Sequence, residues 1–418
     1  MLPGTRGLFP GLLRALPVLA ILVAACAEAP TGDASPPSDV ELFPPASPEE
    51  MGVSAERLQL AVDEVQRMVD RDEIVGAVLL VVRRGHLILH EAVGMADRDW
   101  GEEMRSDYIV RMRSMTKPLV GTGVLMLAEE GRLSLDDPIH LHLPEFDNDL
   151  PGSRDITIYH LLTHTAGLSG SIYTNDDGTR YMTLREAVRG VAERGPAWQP
   201  GSDYSYSDPG SSTLGALIAE VSGMPSEEFL RTRILEPLGM DDSFLDLVPP
   251  EDPRRDRVAS TYQRDGDGGW ERYWDRSMEQ VMPFFRASGG LYAAAMDYAR
   301  FMRAMADGGS LGSARLVSPE TVDRMLQPYS GDHLDPDEAT ERHSLYGLHW
   351  TVFTENATPE TPGTFGHGGS DGTYAWYDPT EDLLGVWITQ SRGNGLAPRF
   401  RELVYEALEE RGAPQPAS

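Results

Sequence analysis

The chain has 418 residues, 40% of them hydrophobic and 8% aromatic, enough for one large domain or two intimately packed ones and incompatible with a disordered chain. With 66 acidic against 36 basic residues the formal charge is −30, so most faces repel a nucleic-acid backbone or an anionic lipid surface, and nucleic acid is excluded as a partner. The one cysteine, Cys26, rules out an intrachain disulfide and leaves stability to packing.

Residues 1–26 are predicted to be an export signal: Arg6 and Arg14 flank an apolar run, Leu16 to Ala25, too short to span a bilayer. Val23-Ala24-Ala25-Cys26 resembles the lipobox of bacterial lipoproteins, so lipid is expected on Cys26 after cleavage. Ala27, where sorting signals place Asp, implies the outer membrane or a periplasmic face by the same resemblance. Residues 27–47, rich in Pro, Ala, Ser and Asp, are predicted to be a flexible tether. Leu58, Ala61, Val62, Val65 and Val69 recur at helical spacing and predict a helix from about Ser54 to Asp70. A hairpin follows, Val75 to Val82 and Leu87 to Val93, turning at Arg83-Arg84-Gly85-His86. From Ser114 to Glu130 the apolar pattern fits a buried helix closed by Gly131.

Residues 155–245 are expected to be mostly helical and residues 249–285 rich in loops, with Asp265 to Gly269 as a hairpin turn, since it lacks EF-hand ligand spacing. Gly372 to Tyr377 and Leu383 to Thr389 predict two more strands, and about Pro398 to Glu410 a last helix. Both ends of the chain thus feed one sheet, with a helical region inserted: an α+β fold. The expected catalytic domain is 48–411, its sheet-bearing part about 48–113 and 286–411, its mainly helical part about 114–285.

All but one of the basic residues are arginine, and the exception is Lys117. Arginine cannot release its proton in a protein, whereas a desolvated ammonium can become a neutral amine and act as a base. Ser114 stands three residues earlier, on the same face of the predicted helix and within reach of a hydrogen bond. At a helix N-terminus its backbone N–H would also face a developing oxyanion.

Ser114-Met-Thr-Lys117, Tyr206-Ser207-Asp208 and His367-Gly368-Gly369, in that order, resemble the three motifs of the serine β-lactamase and penicillin-binding-protein superfamily. The class C-like branch, with its DD-peptidases, D-aminopeptidases and esterases, is the most similar. Leu161 to Leu168, Ser288-Gly-Gly-Leu291 and Met296 to Phe301 carry further likeness. The resemblance implies a β-lactamase/transpeptidase-like fold, an antiparallel sheet flanked by helices with an inserted helical subdomain. It implies an acyl-enzyme on Ser114, with neutral Lys117 or the Tyr206 phenolate taking the proton and His367 as an electrostatic partner. Substrate contacts would fall on Asp208, Gly368, Gly369 and Ser370, the N–H groups of Ser114 and Ser370 forming the oxyanion hole.

Two departures weaken the clamp for a β-lactam: Asp208 stands where Asn is usual, and Gly368 where a hydroxyl residue is usual. The expected enzyme is therefore an esterase or peptidase rather than an efficient β-lactamase, acting as a monomer on small-molecule or peptide substrates, without cofactor or metal, and joined to the membrane through Cys26. The alternative is a penicillin-recognising cell-wall sensor with negligible turnover. Gly-x-Ser-x-Gly matches at Ser310 and Ser370 lack the strand-then-helix context of a hydrolase elbow, and His140, His142, His160 and His164 are expected to be caps or packed histidines. Trp198, Tyr204, Trp350, Tyr374 and Trp376 are expected in the core before the cleft.

Overall fold

The computed structural model describes residues 36–245, 251–278 and 283–409; the predicted export signal, Cys26 and the first part of the predicted tether, 27–35, lie outside the described residues. Strand β1 (Gly76–Arg83) is an apolar run buried along its whole length. Its side chains alternate between two cores, Val78, Leu80 and Val82 on one face and Ala77, Leu79 and Val81 on the other. A strand with both faces covered needs no polar alternation, which is why it reads as continuous hydrophobicity.

Strand β2 (His86–Asp97) returns antiparallel to β1 through the predicted turn, where Arg84 and Gly85 adopt φ of 50° and 75°. Short strand β3 (Glu102–Glu103) follows. The remaining strands of this sheet come from the far end of the chain: β4 (Ser344–Tyr346), β5 (Thr351–Phe353), β6 (Phe365–Gly368), β7 (Tyr374–Asp378) and β8 (Leu383–Thr389). The spatial order is β4-β5-β6-β7-β8-β1-β2-β3, every pairing antiparallel, so both ends of the chain build one eight-stranded sheet as expected.

One face is covered by α1 (Ala55–Asp70) and α5 (Ala397–Glu406). Ser54 caps α1 by accepting from Arg57 N, and Leu58, Ala61, Val62, Val65 and Met68 form its buried stripe. The other face carries α2 (Lys117–Glu129), α3 (Asp208–Ser222) and α4 (Ala295–Ala306) in the larger core. Residues Lys117 to Leu127 of α2 are all buried, so this helix has no polar side. The Asp265 to Gly269 segment is a hairpin turn between strands Thr261–Arg264 and Trp270–Trp274.

The later part of the predicted tether is structured. Ser38 and Glu41 form a capping box on a helical turn at Asp39–Leu42, and Phe43 is buried at 1% exposure. Arg300 donates to Pro37 O at 2.7 Å and to Asp39 at 2.6 Å. Average composition reads this segment as linker, but one apolar anchor and one ion pair suffice to hold it against the domain.

Candidate active site

Ser114 lies on a short 3₁₀ turn, Arg113–Thr116, that runs into α2, and not on the first turn of the α-helix itself. Pro118 follows Lys117, its fixed φ suiting a helix start and its missing N–H no loss there. The Lys117 side chain is fully buried, and its Nζ makes three contacts: Ser114 Oγ at 3.3 Å, Ser288 O at 3.0 Å and Asp208 Oδ1 at 2.6 Å. An ammonium carries three donors, and here each meets an oxygen. This geometry suits the charged form, with its proton donated toward Asp208.

Asp208 heads α3, where the helix dipole favours a carboxylate, and Ser207 caps that helix by accepting from Gly210 N at 3.0 Å. Its side chain is 49% exposed, so the pair opens to the cleft on one side only. The sequence placed Asp208 as a substrate contact; the structure makes it the counter-ion of Lys117. The Tyr206 ring lies over Lys117 Nζ, 4.5 Å from its centroid, and is 43% exposed. Its hydroxyl has no hydrogen-bond partner among the described residues, which leaves it to solvent or substrate. The resting contact of Tyr206 with Lys117 is thus through the ring face.

His367 sits on β6, opposite Ala375 of β7, and requires a correction of role. Its Nδ1 donates to Gly368 O at 2.8 Å and its Nε2 accepts from the Tyr346 hydroxyl at 3.0 Å. Both nitrogens are satisfied in the neutral ring. Burial, reinforced by the Lys117 charge, lowers its pKa to about 3. His367 therefore brings no positive charge to Tyr206; among the described residues Lys117 is the cation placed over its ring.

Two histidines left out of the predicted site stand behind Tyr206. His164 packs on the Tyr206 ring at 4.6 Å and on Tyr346 at 4.7 Å, and His349 stacks on His164 at 5.2 Å. His164 Nδ1 accepts from Ser207 N at 3.1 Å; His349 donates from Nδ1 to Lys117 O at 3.0 Å and accepts from Ser211 Oγ at 3.3 Å. Burial holds His164 well below its ordinary value and His349 at about 3. Both residues have left-handed backbone, φ 59° and 64°. They form a neutral wall, His164 as a packed histidine as expected and His349 as one the sequence did not single out.

Gly368 ends β6, and Gly369 and Ser370 form the turn after it. Gly369 N donates to Thr373 O at 2.8 Å, and a side chain at Gly369 would collide with Met112 O and Thr373 Oγ1. Its absence lets this turn pack directly on the turn that carries Ser114. Ser370 is exposed and Ser114 half-buried. Ser310 lies on a small hairpin, Ser310–Leu311 with Ala314–Arg315, apart from the site. His160 closes a capping box with Thr157, His142 contacts Asp137 at 3.1 Å, and Trp350 and Trp376 are fully buried in the cores.

The match to the family described as Beta-lactamase covers residues 62–409. The chain belongs to the β-lactamase family. Among its relatives in that family is Esterase EstB of Burkholderia gladioli, 30% identical over 394 residues, with 85% of this chain and 95% of the relative covered. The fold is that of EstCE1, a hydrolase with promiscuous acyltransferase activity: TM-score 0.72, 24% identity, 87% and 99% of the two chains covered. A penicillin-binding protein homologue from Caulobacter crescentus aligns with TM-score 0.67 and 25% identity, covering 84% and 97%.

Proposed function

We propose that this serine hydrolase of the β-lactamase family acts on esters or D-amino-acid amides through an acyl-enzyme on Ser114, with esterase or peptidase action favoured over efficient β-lactam hydrolysis. The observation that carries the reading is the single buried ammonium touching Ser114 Oγ, Asp208 and Ser288 O under the Tyr206 ring. Lys117 passes a proton toward Asp208 and then receives that of Ser114, or Tyr206, whose ring lies over the ammonium, receives it as a phenolate. The Ser114 oxygen bonds to the substrate carbonyl carbon, and the N–H groups of Ser114 and Ser370 hold the oxyanion. Collapse breaks the carbonyl's bond to the leaving group, which takes up the proton; water then hydrolyses the acyl-enzyme by the reverse transfers. Asp208 bound to Lys117 leaves no amide donor for a β-lactam side chain, and the EstB relationship favours esters.

The test is labelling by a fluorophosphonate with nitrophenyl-ester turnover. Ser114 is labelled in the native protein and not in Ser114→Ala, and Lys117→Arg loses roughly 10²–10⁴-fold in kcat. Folded native protein that neither labels nor turns over esters would overturn the reading in favour of a sensor. We also infer an exported lipoprotein, anchored at Cys26 and facing the periplasm or outer membrane, supported by the apolar run and the lipobox resemblance. Radiolabelled palmitate incorporates into the full chain and not into Cys26→Ser; incorporation by both, or by neither, would refute the anchor.

A further inference from the structure

Asp371 is a carboxylate with 1% side-chain exposure, ringed by arginines: Arg113 Nε at 2.7 Å, Arg392 Nε at 3.6 Å and Arg111 Nε at 3.9 Å. None of these residues belongs to the three motifs, yet Arg113 immediately precedes Ser114 and Asp371 immediately follows Ser370. The strongest of the three contacts therefore joins the two turns whose backbone N–H groups would hold the oxyanion. We propose that Arg113 and Asp371 form a clasp that sets these two N–H groups against each other, making both positioning residues for the reaction of Ser114.

The backbone at Arg113 supports this role. Its φ is +53°, a left-handed conformation that a residue with a β-carbon adopts only when its surroundings impose it. Thr116 Oγ1 donates to Arg113 O at 2.6 Å, and Leu291 N donates to that same hydroxyl at 2.9 Å. From the other side Thr373 Oγ1 donates to Met112 O at 3.2 Å, where Gly369 leaves room for the approach. The nucleophile turn is thus pinned in a strained shape by groups from the 291 and 369–373 segments, and among the described residues the Arg113 guanidinium makes the shortest charged contact with Asp371. Arg111, 2% exposed, has no hydrogen-bond partner for its guanidinium nitrogens among the described residues and lies against Tyr273 and Trp274, 5.7 Å and 5.2 Å from their rings. One carboxylate among three guanidiniums leaves positive charge on the side of the cleft where the oxyanion forms.

The clasp rests on the Ser114 acyl-enzyme reading, and the experiment separates the two. Full-length Asp371→Asn and Asp371→Glu are assayed with a nitrophenyl ester, alongside fluorophosphonate labelling, binding of phenylboronic acid and thermal melting. Asparagine removes the charge; glutamate keeps it and displaces the carboxylate by one methylene. In Asp371→Asn kcat falls about 100-fold, with KM within about threefold and a parallel loss of affinity for the boronate, whose tetrahedral adduct needs the oxyanion site. Asp371→Glu loses about 10-fold and decides the matter if the asparagine variant fails to fold. Folded variants with native kcat, or with kcat intact and KM raised, overturn the clasp. Absence of labelling in the native protein overturns the acyl-enzyme reading instead.

Discussion

Asp208 and Asp371 each bind a cation one turn or less from Ser114, yet they are held in opposite ways. Asp208 is half exposed and grips the buried ammonium of Lys117. Asp371 is shut away from solvent among arginines, whose protons do not leave. A pair with water on one side and a lysine in it can trade protons; a dry pair made with arginine can only hold shape. Chemistry and geometry at one nucleophile are thereby assigned to two separate carboxylates.

The sharpest way to break this contrast is to delete each carboxylate. Asp371→Ala strands buried guanidinium charge and lowers unfolding free energy by about 3–5 kcal/mol in urea titration. A loss under about 1 kcal/mol would mean that water already screens the pair. The neutral histidines test the same dry interior by pH. His349 and His367 have folded-state values near 3 against 6.5 when free, so the unfolded chain binds more protons between those limits. Stability is therefore complete above about pH 6.5 and falls as pH drops, by roughly 1 kcal/mol per pH unit for each ring. Asp297, a buried carboxyl pushed up to about 7 by desolvation, takes up a proton in the same window and offsets part of this loss. Urea midpoints at pH 6.5 and 5 are therefore measured in the native protein and in Asp297→Asn, and a flat profile in both would contradict neutral burial.

Asp208→Asn should leave stability largely intact and move the chemistry. Asparagine keeps an oxygen for the Lys117 ammonium to donate to but cannot take its proton, so kcat with a nitrophenyl ester falls about 100-fold. A native kcat in the folded variant would show that Asp208 takes no part in the proton transfer. At the small end, Glu64→Gln weakens two exposed contacts, with Arg67 at 2.7 Å and with Arg71 at 2.9 Å. It should change stability by less than about 0.5 kcal/mol, the baseline against which the buried pair is read.

The elements legible in the sequence were those whose signal is local. Helix α1 with its Ser54 cap, the β1–β2 hairpin, and β7 and β8 all follow from periodicity and turn residues within about 20 positions. Phe43 escaped because one buried anchor does not alter the composition of its segment. In the site, Ser114 and Lys117 were legible as a pair, since residues three apart on one turn are neighbours and the lone lysine marked the position.

What the sequence determined by itself is therefore the order of the elements, the nucleophile with its lysine, and the three motifs that mark the family. Only the tertiary structure decided which charge faces which. Lys117 meets Asp208 across 91 residues and Arg113 meets Asp371 across 258, and His367 is neutral because the sheet and Tyr346 enclose it. Protonation state depends on burial and on nearby charge, and both are properties of packed neighbours that no spacing along the chain encodes.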